Sequence, residues 1–282
     1  MTTDVESKNS VRYSDLIEEP LITLPTISGY EQVPLVSLDE AIEPLLSIVP
    51  HIKQMIEMIN EKCPMEIKDG LTKNESTAIM LYSMQWQSKE QSFNLLLNRT
   101  LRDDNRERLT PWFLYLKLFL HALNKLPSIH SNVYRAVPND LSQEYPQGKT
   151  FLWWGFALCT QSIEIVEREQ NFNQLDQRTR FKIESKSAKD IRNHSFDYLD
   201  DELLLLAAQC YKVISTLDSG DGLHIIQLKE IDPYIVAPLN PTNDRTTSFS
   251  LSLNQRRTSA NVLTQHTSFC SMVLKLTVSS SS

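Results

Sequence analysis

The chain is 282 residues long, with 28 basic and 35 acidic side chains and a formal net charge of −7. That length allows one large domain or two small ones, and 41% hydrophobic residues with 22% charged excludes wholesale disorder. A net negative chain carries no electrostatic footprint for nucleic acid, so none is expected as a partner.

The first twenty residues, MTTDVESKNSVRYSDLIEEP, are polar and acidic and lack the basic start and apolar stretch of a secretory signal. Residues 1–30 are therefore expected to form a flexible lead. From 37 to 126 the chain reads as helices with recognisable starts. Ser37-Leu38-Asp39-Glu40, Thr72-Lys73-Asn74-Glu75 and Ser88-Lys89-Glu90-Gln91 each match a capping box. In that motif a hydroxyl accepts an orphan N–H while the later side chain reaches back. Thr110-Pro111 predicts a further helix start, with proline where its missing N–H costs nothing. Pro44, Pro50 and Pro127 punctuate the helices. Ile52, Met55, Ile56 and Ile59 recur at helical spacing and predict a core stripe. The longest apolar run, Trp112 to Leu120, is interrupted by Lys117 and is far shorter than the about 20 residues a bilayer requires. It predicts a buried core helix, and no membrane partner is expected.

After Pro127 the pattern turns to short strands: 132–137, 149–159, 178–184, 203–206 and 209–217. Gly220-Asp221-Gly222 then offers a tight turn into 223–228. Helices first and strands second predict an α+β fold. No G-x-G-x-x-G or G-x-x-x-x-G-K-[ST] occurs, and six glycines in the whole chain leave little for a phosphate loop. Cys63, Cys159, Cys210 and Cys270 are scattered without a C-x-x-C pair, which gives no support for a metal site and suggests free thiols in a reducing, cytoplasmic setting. The Ser/Thr-rich stretch 236–282 is expected to be a disordered tail.

Three features carry chemistry. Arg135, inside an otherwise apolar strand, has the planar fork of donors that binds phosphate or carboxylate, or is an edge arginine facing solvent. Trp153-Trp154-Gly155-Phe156 is dense in aromatics and reads first as core. Asp200-Asp201-Glu202 runs directly into a leucine stretch and is either a solvated loop or a carboxylate site. His194 and His224 read as turn or core histidines.

The order Tyr134-Arg135, then Trp154 to Thr160, then Asp200-Asp201-Glu202-Leu203-Leu204, resembles the arginine-specific mono-ADP-ribosyltransferases. In that family the NAD site is built on an Arg, Ser-x-Ser and Glu-x-Glu series. Lys189 to Ser195 before the acidic triplet and Gly222 to Ile231 after it extend the resemblance. So do Ala78 to Tyr82 and Pro111 to Tyr115 upstream. The resemblance implies two packed, mostly antiparallel sheets preceded by helices. It implies a domain over 31–235, with a helical lead-in at 37–126 and a β-rich NAD core at 129–231. It further implies NAD as co-substrate, an acceptor protein with an exposed arginine as partner, and release of nicotinamide. Glu202 would be the catalytic carboxylate, Asp200 would orient the acceptor guanidinium, and Arg135 would hold NAD phosphate or ribose. Tyr134, Ala136, Leu158 and Thr160 would complete the cofactor-binding set.

Three positions depart from the family pattern. Leu158 stands where the first Ser is expected, Ala136 where Gly usually follows the Arg, and Asp200 where the first Glu is expected. These departures imply a weakened transferase. They leave open a non-catalytic NAD- or protein-binding member and an NAD glycohydrolase.

Overall fold

In the computed structural model of the chain, the described residues are 19–20, 24–25, 27–86, 91–172, 177–197 and 201–232, without the side chains of 168–172. The third capping box lies mostly outside them, as do Asp200, Cys270 and the 236–282 tail. The first two boxes form. Glu40 N–H donates to Ser37 Oγ at 3.3 Å while Ser37 N–H donates to Glu40 Oε2 at 3.0 Å, opening α1 (Leu38–Ile42). The stripe of Ile52, Ile56 and Ile59 is buried on α2 (Ile52–Lys62). Thr72 and Glu75 repeat the box at 3.3 and 2.7 Å to open α3 (Lys73–Ser83), which is buried without a break from Glu75 to Ser83.

α4 (Phe93–Leu101) starts after Ser92. The expected start at Thr110-Pro111 is corrected by two residues: α5 spans Phe113–Lys125, and Pro111 sits in a 3-10 turn, Arg106–Trp112, that runs directly into it. Arg106 holds that tight approach by donating to the carbonyls of Pro25, Leu101 and Asp103 at 2.9, 2.8 and 3.2 Å. α5 is the buried core helix read from the apolar run, with Tyr115, Leu116, Leu118, Phe119 and Leu120 inside. Among the described residues no helix is long and apolar enough to cross a membrane.

The strands are β1 (Ser128–Val137), β2 (Thr150–Trp153), β3 (Ala157–Cys159), β4 (Arg178–Asp190), β5 (Leu203–Leu205), β6 (Gln209–Asp218) and β7 (Leu223–Ile231). The stretch read as one strand at 149–159 is thus two, parted by Trp154 to Phe156, and β4 runs six residues past its expected end at 184. α6 (Ile163–Phe172) was not read from the sequence; among its described side chains, those of 163–167, Val166 alone is buried. The expected turn forms, with Gly220 and Gly222 at φ of 79° and 77°, the left-handed region that glycine adopts at no steric cost.

The result is the expected α+β class. All pairings are antiparallel except β4 with β7. The strand order is β2-β6-β7-β4-β5-β3, with β1 paired to β4, in one seven-stranded network. The strands are not divided into two separate sheets, because β4 belongs to both halves: β1 pairs it from Thr179 to Lys189, its first part also pairs β7, and its last two residues pair β5. A bulge at Ser185–Ala188 lies between the part paired to β7 and the part paired to β5. Glu230 of β7 secures it, since Glu230 Oε2 accepts from Ser185 Oγ at 2.8 Å, Lys186 N–H at 2.6 Å and Ser187 N–H at 3.1 Å.

Two cores result. One lies between the helices and the sheet, where Tyr82, Phe119, Phe156, Leu158 and Leu204 meet. The other lies within the strands, around Val133, Trp153, Phe181, Ile183, Ala188, Leu203 and Tyr211.

Candidate functional site

Arg135 is 2% exposed, and strand alternation sets it on the same face of β1 as Val133 and Val137, toward the strand core. Its Nη1 donates to the Leu158 carbonyl at 2.9 Å. The solvent-facing reading of this arginine is thereby excluded. Its positive charge draws the Cys159 thiol down, but burial wins and pushes that thiol up to about 12, so Cys159 is an inert core thiol. Next door, Tyr134 N–H donates to Thr160 O at 2.7 Å and Thr160 N–H returns to Tyr134 O at 3.0 Å. This bridge closes β1 onto the end of β3. Ala136 turns the other way, onto Val166 of α6.

β3 is set from behind by α4. Phe156 N–H donates to Asn98 Oδ1 at 2.9 Å, and Phe156 O accepts from Asn98 Nδ2 at 3.0 Å and from the Tyr82 hydroxyl at 3.0 Å. The amide of Asn98 thus pairs with one peptide as a neighbouring strand would. Gly155 is required beside it, since a Cβ there would stand 2.9 Å from Arg102 Nη2 and 3.0 Å from Asn98 Oδ1. Glu19 adds a third hold, accepting from Trp154 N–H and from Arg102 Nε, each at 2.9 Å.

Glu202 opens β5 and is 2% exposed. β5 pairs β3 with Leu158 opposite Leu204 and Cys159 opposite Leu203, so Thr160 follows the last paired residue of β3 and Glu202 precedes the first of β5. Thr160 Oγ1 donates to Asp201 Oδ2 at 2.9 Å. Glu202 O accepts the Ile191 N–H at 3.2 Å, which closes the loop between β4 and β5 at its base. Within that loop Ser195 Oγ donates to Glu202 Oε2. His194, as read, is a core histidine: its ring meets Ser76 Oγ at 2.9 Å through Nδ1 and Asp69 Oδ2 at 3.1 Å through Nε2. His224 sits at the start of β7 near Gln177 and Asp140, at 3.2 and 3.5 Å.

Of the residues singled out in the sequence, Tyr134, Arg135, Leu158, Thr160 and Glu202 are gathered around β3. Asp200 lies outside the described residues. Leu158 turns its side chain into the helix-side core with Phe156 and Leu204. Two site residues were missed, Asp201 as the partner of Thr160 and Ser195 as the partner of Glu202. Neither leaves a periodic signal, because the Ser195 contact depends on a loop folding back on its own end and the Asp201 contact on Thr160, 41 residues away.

The arrangement joins a buried guanidinium, a hydroxyl and a buried carboxylate on adjacent strands, a set suited to binding a phosphorylated ribose and stabilising positive charge on it. No match is found among curated proteins. Among solved structures the chain is similar to the ADP-ribosyltransferase Vis of Vibrio splendidus in complex with agmatine, at 16% identity over 74% of this chain and 92% of that one, with a TM-score of 0.47. It is also similar to the ADP-ribosyltransferase HopU1 of Pseudomonas syringae pv. tomato, at 17% identity over 71% and 90% with a TM-score of 0.43. For the C3 exoenzyme of Clostridium limosum the values are 14% over 72% and 100%, with a TM-score of 0.43. The sequence profile of the NAD:arginine ADP-ribosyltransferases matches residues 45–234, more than half of the chain and, of the site just described, all but Glu19. The chain therefore belongs to the NAD:arginine ADP-ribosyltransferase family, whose members use NAD as co-substrate.

Proposed function

We propose that the chain is a mono-ADP-ribosyltransferase that modifies arginine on an acceptor protein, with residues 31–235 as its working unit. The observation that carries this reading is the meeting of Arg135, Thr160 and the Asp201-Glu202 segment around β3 in a chain of this family. The donor set suits the dinucleotide: a guanidinium for phosphate or ribose oxygens, and a carboxylate for the cationic nicotinamide riboside. When bound, NAD supplies the ADP-ribosyl group and nicotinamide as leaving group. Arg135 holds the phosphate or ribose from β1, Tyr134 supports that strand, and the backbone of Ala136 lies toward the nicotinamide amide. Thr160 keeps a hydroxyl at the ribose side, next to Leu158. Glu202 accepts a hydrogen bond from the nicotinamide-ribose hydroxyl, and its charge stabilises the positive charge that develops on the ribose. Asp200 orients the acceptor guanidinium and takes its proton.

Incubation with labelled NAD and agmatine, a small guanidino acceptor, tests this. Wild type releases nicotinamide and labels the acceptor, and Glu202→Gln reduces both by about 10²–10³-fold. No transfer and no nicotinamide release at high protein concentration would overturn the reading. Transfer that persists in Glu202→Ala would overturn the role of that residue.

The inward turn of Leu158 favours a second reading, a non-catalytic member that binds NAD or a partner protein, because no hydroxyl is offered from that position. Calorimetry with NAD separates the two: binding without nicotinamide release selects the second. Nicotinamide release with no labelled acceptor selects a glycohydrolase.

A further inference from the structure

We propose that Ser195 is the positioning residue for the Glu202 carboxylate, supplying from the β4–β5 loop the hydroxyl that position 158 does not offer. The inference rests on the role given to Glu202 above. The Ser195 hydroxyl donates to Glu202 Oε2, and the two residues are 0% and 2% exposed. A donor on one carboxylate oxygen sets the rotation of the carboxylate plane, and with it the direction in which the group presents itself to a ribose hydroxyl.

What makes this donor preorganised is the grip on either side of it. Before it, His194 is held through Nδ1 by Ser76 at 2.9 Å and through Nε2 by Asp69 at 3.1 Å. After it, Phe196 N–H donates to Ser83 Oγ at 2.9 Å. Ser76 and Ser83 both belong to α3 and are seven positions apart, two turns on one face of the helix. Ser195 therefore hangs between two anchors on one buried helix. A further strut ties Asn193 Nδ2 to Asp69 Oδ2 at 2.9 Å. At the base of the loop the Ile191 to Glu202 backbone bond, at 3.2 Å, holds the acceptor residue in register. A side chain fixed by a rigid element gives tighter geometry than one carried by a free loop. The helical layer thus acts on the chemistry through Ser195, although none of its own side chains is placed in the NAD site.

The experiment compares wild type with Ser195→Ala in two readouts. The first is steady-state nicotinamide release. Ser195→Ala lowers kcat by about 10²-fold, with KM for NAD unchanged within about twofold, since orientation of the reacting group is lost and binding is kept. The second does not depend on turnover. In protein carrying carboxyl-¹³C glutamate, the Glu202 resonance is assigned by its loss in Glu202→Gln and is titrated against pH. Removing a donor to the charged carboxylate moves its titration midpoint to higher pH in Ser195→Ala. If Ser195→Ala fails to fold, Ser195→Cys keeps the volume and weakens only the donor, and both readouts shift in the same directions by less. An unchanged titration midpoint in a folded variant overturns the proposal, as does an unchanged kcat in an active protein. If wild type shows no turnover, the assignment of a transferase falls, and the titration alone decides whether Ser195 orients the carboxylate.

Discussion

Replacing Asn98 by Ala tests how β3 is held. The residue is fully buried, and its amide contacts these described groups: Oδ1 with Phe156 N–H at 2.9 Å, and Nδ2 with Phe156 O at 3.0 Å and the Tyr82 hydroxyl at 3.1 Å. After truncation the Phe156 carbonyl keeps the Tyr82 hydroxyl at 3.0 Å, but the Phe156 N–H is left in the core without that acceptor. A stranded buried donor costs about 1–3 kcal/mol, and two further lost bonds cost about 0.5–1.5 kcal/mol each. A loss of about 3–4 kcal/mol is expected. For a chain of this size that lowers the melting temperature by about 10 °C. Urea unfolding followed by circular dichroism measures it, with the slope unchanged if the native state keeps its compactness. Asn98→Asp is the companion variant. It retains the acceptor for the Phe156 N–H but sets a second oxygen against the Phe156 carbonyl, so it too destabilises. A loss below about 1 kcal/mol in Asn98→Ala would refute the argument that this side chain substitutes for a strand.

Other expectations follow from the same structure. Gly155→Ala forces a Cβ to within 2.9 Å of the Arg102 guanidinium, whose neighbour Glu19 limits its movement, and costs about 1–3 kcal/mol by urea unfolding. Glu230→Ala removes one oxygen that accepts from Ser185, Lys186 and Ser187, costs about 2–4 kcal/mol, and speeds hydrogen exchange of the Lys186 and Ser187 amides. Burial holds the His194 imidazole below its ordinary value of 6.5, against the pull of Asp69, and burial likewise lowers His121. The unfolded chain then binds more protons than the folded one below about pH 6.5, so these two groups withdraw stability as pH falls through that window. Urea midpoints at pH 7.5 and 5.5 report the slope, and His194→Gln flattens it.

How much of this was legible in the sequence depends on how local each feature is. The boxes at Ser37 and Thr72 were readable because a capping box is closed within four residues. Thr110-Pro111 misled, since the turn that displaced the helix start is held by Arg106 reaching back to Pro25, a contact no local pattern carries. The alternation of Arg178 to Glu184 was readable and stopped at 184, where the bulge begins. For the site, Arg135 and Glu202 stood out through a resemblance of ordered motifs. Ser195 and Asp201 did not, because the partner of one is fixed by how a loop returns to its own base and the partner of the other, Thr160, comes from a distant strand end.

The bulge in β4 has a consequence for changes in chain length. Before it, the odd-numbered Thr179, Phe181 and Ile183 point into the strand core, whereas after it the even-numbered Ala188 does. The strand has shifted phase by one residue. Deleting a single residue between 185 and 187 would restore unbroken alternation, turning Ala188 outward and exchanging the sides of Lys189 and Asp190. Lys189 would then lose its hold on Leu126 O, at 2.8 Å, where the helices join the sheet. A deletion of two keeps the parity and shortens the strand, so the segment leading to the Ser195 loop tolerates even changes in length better than odd ones.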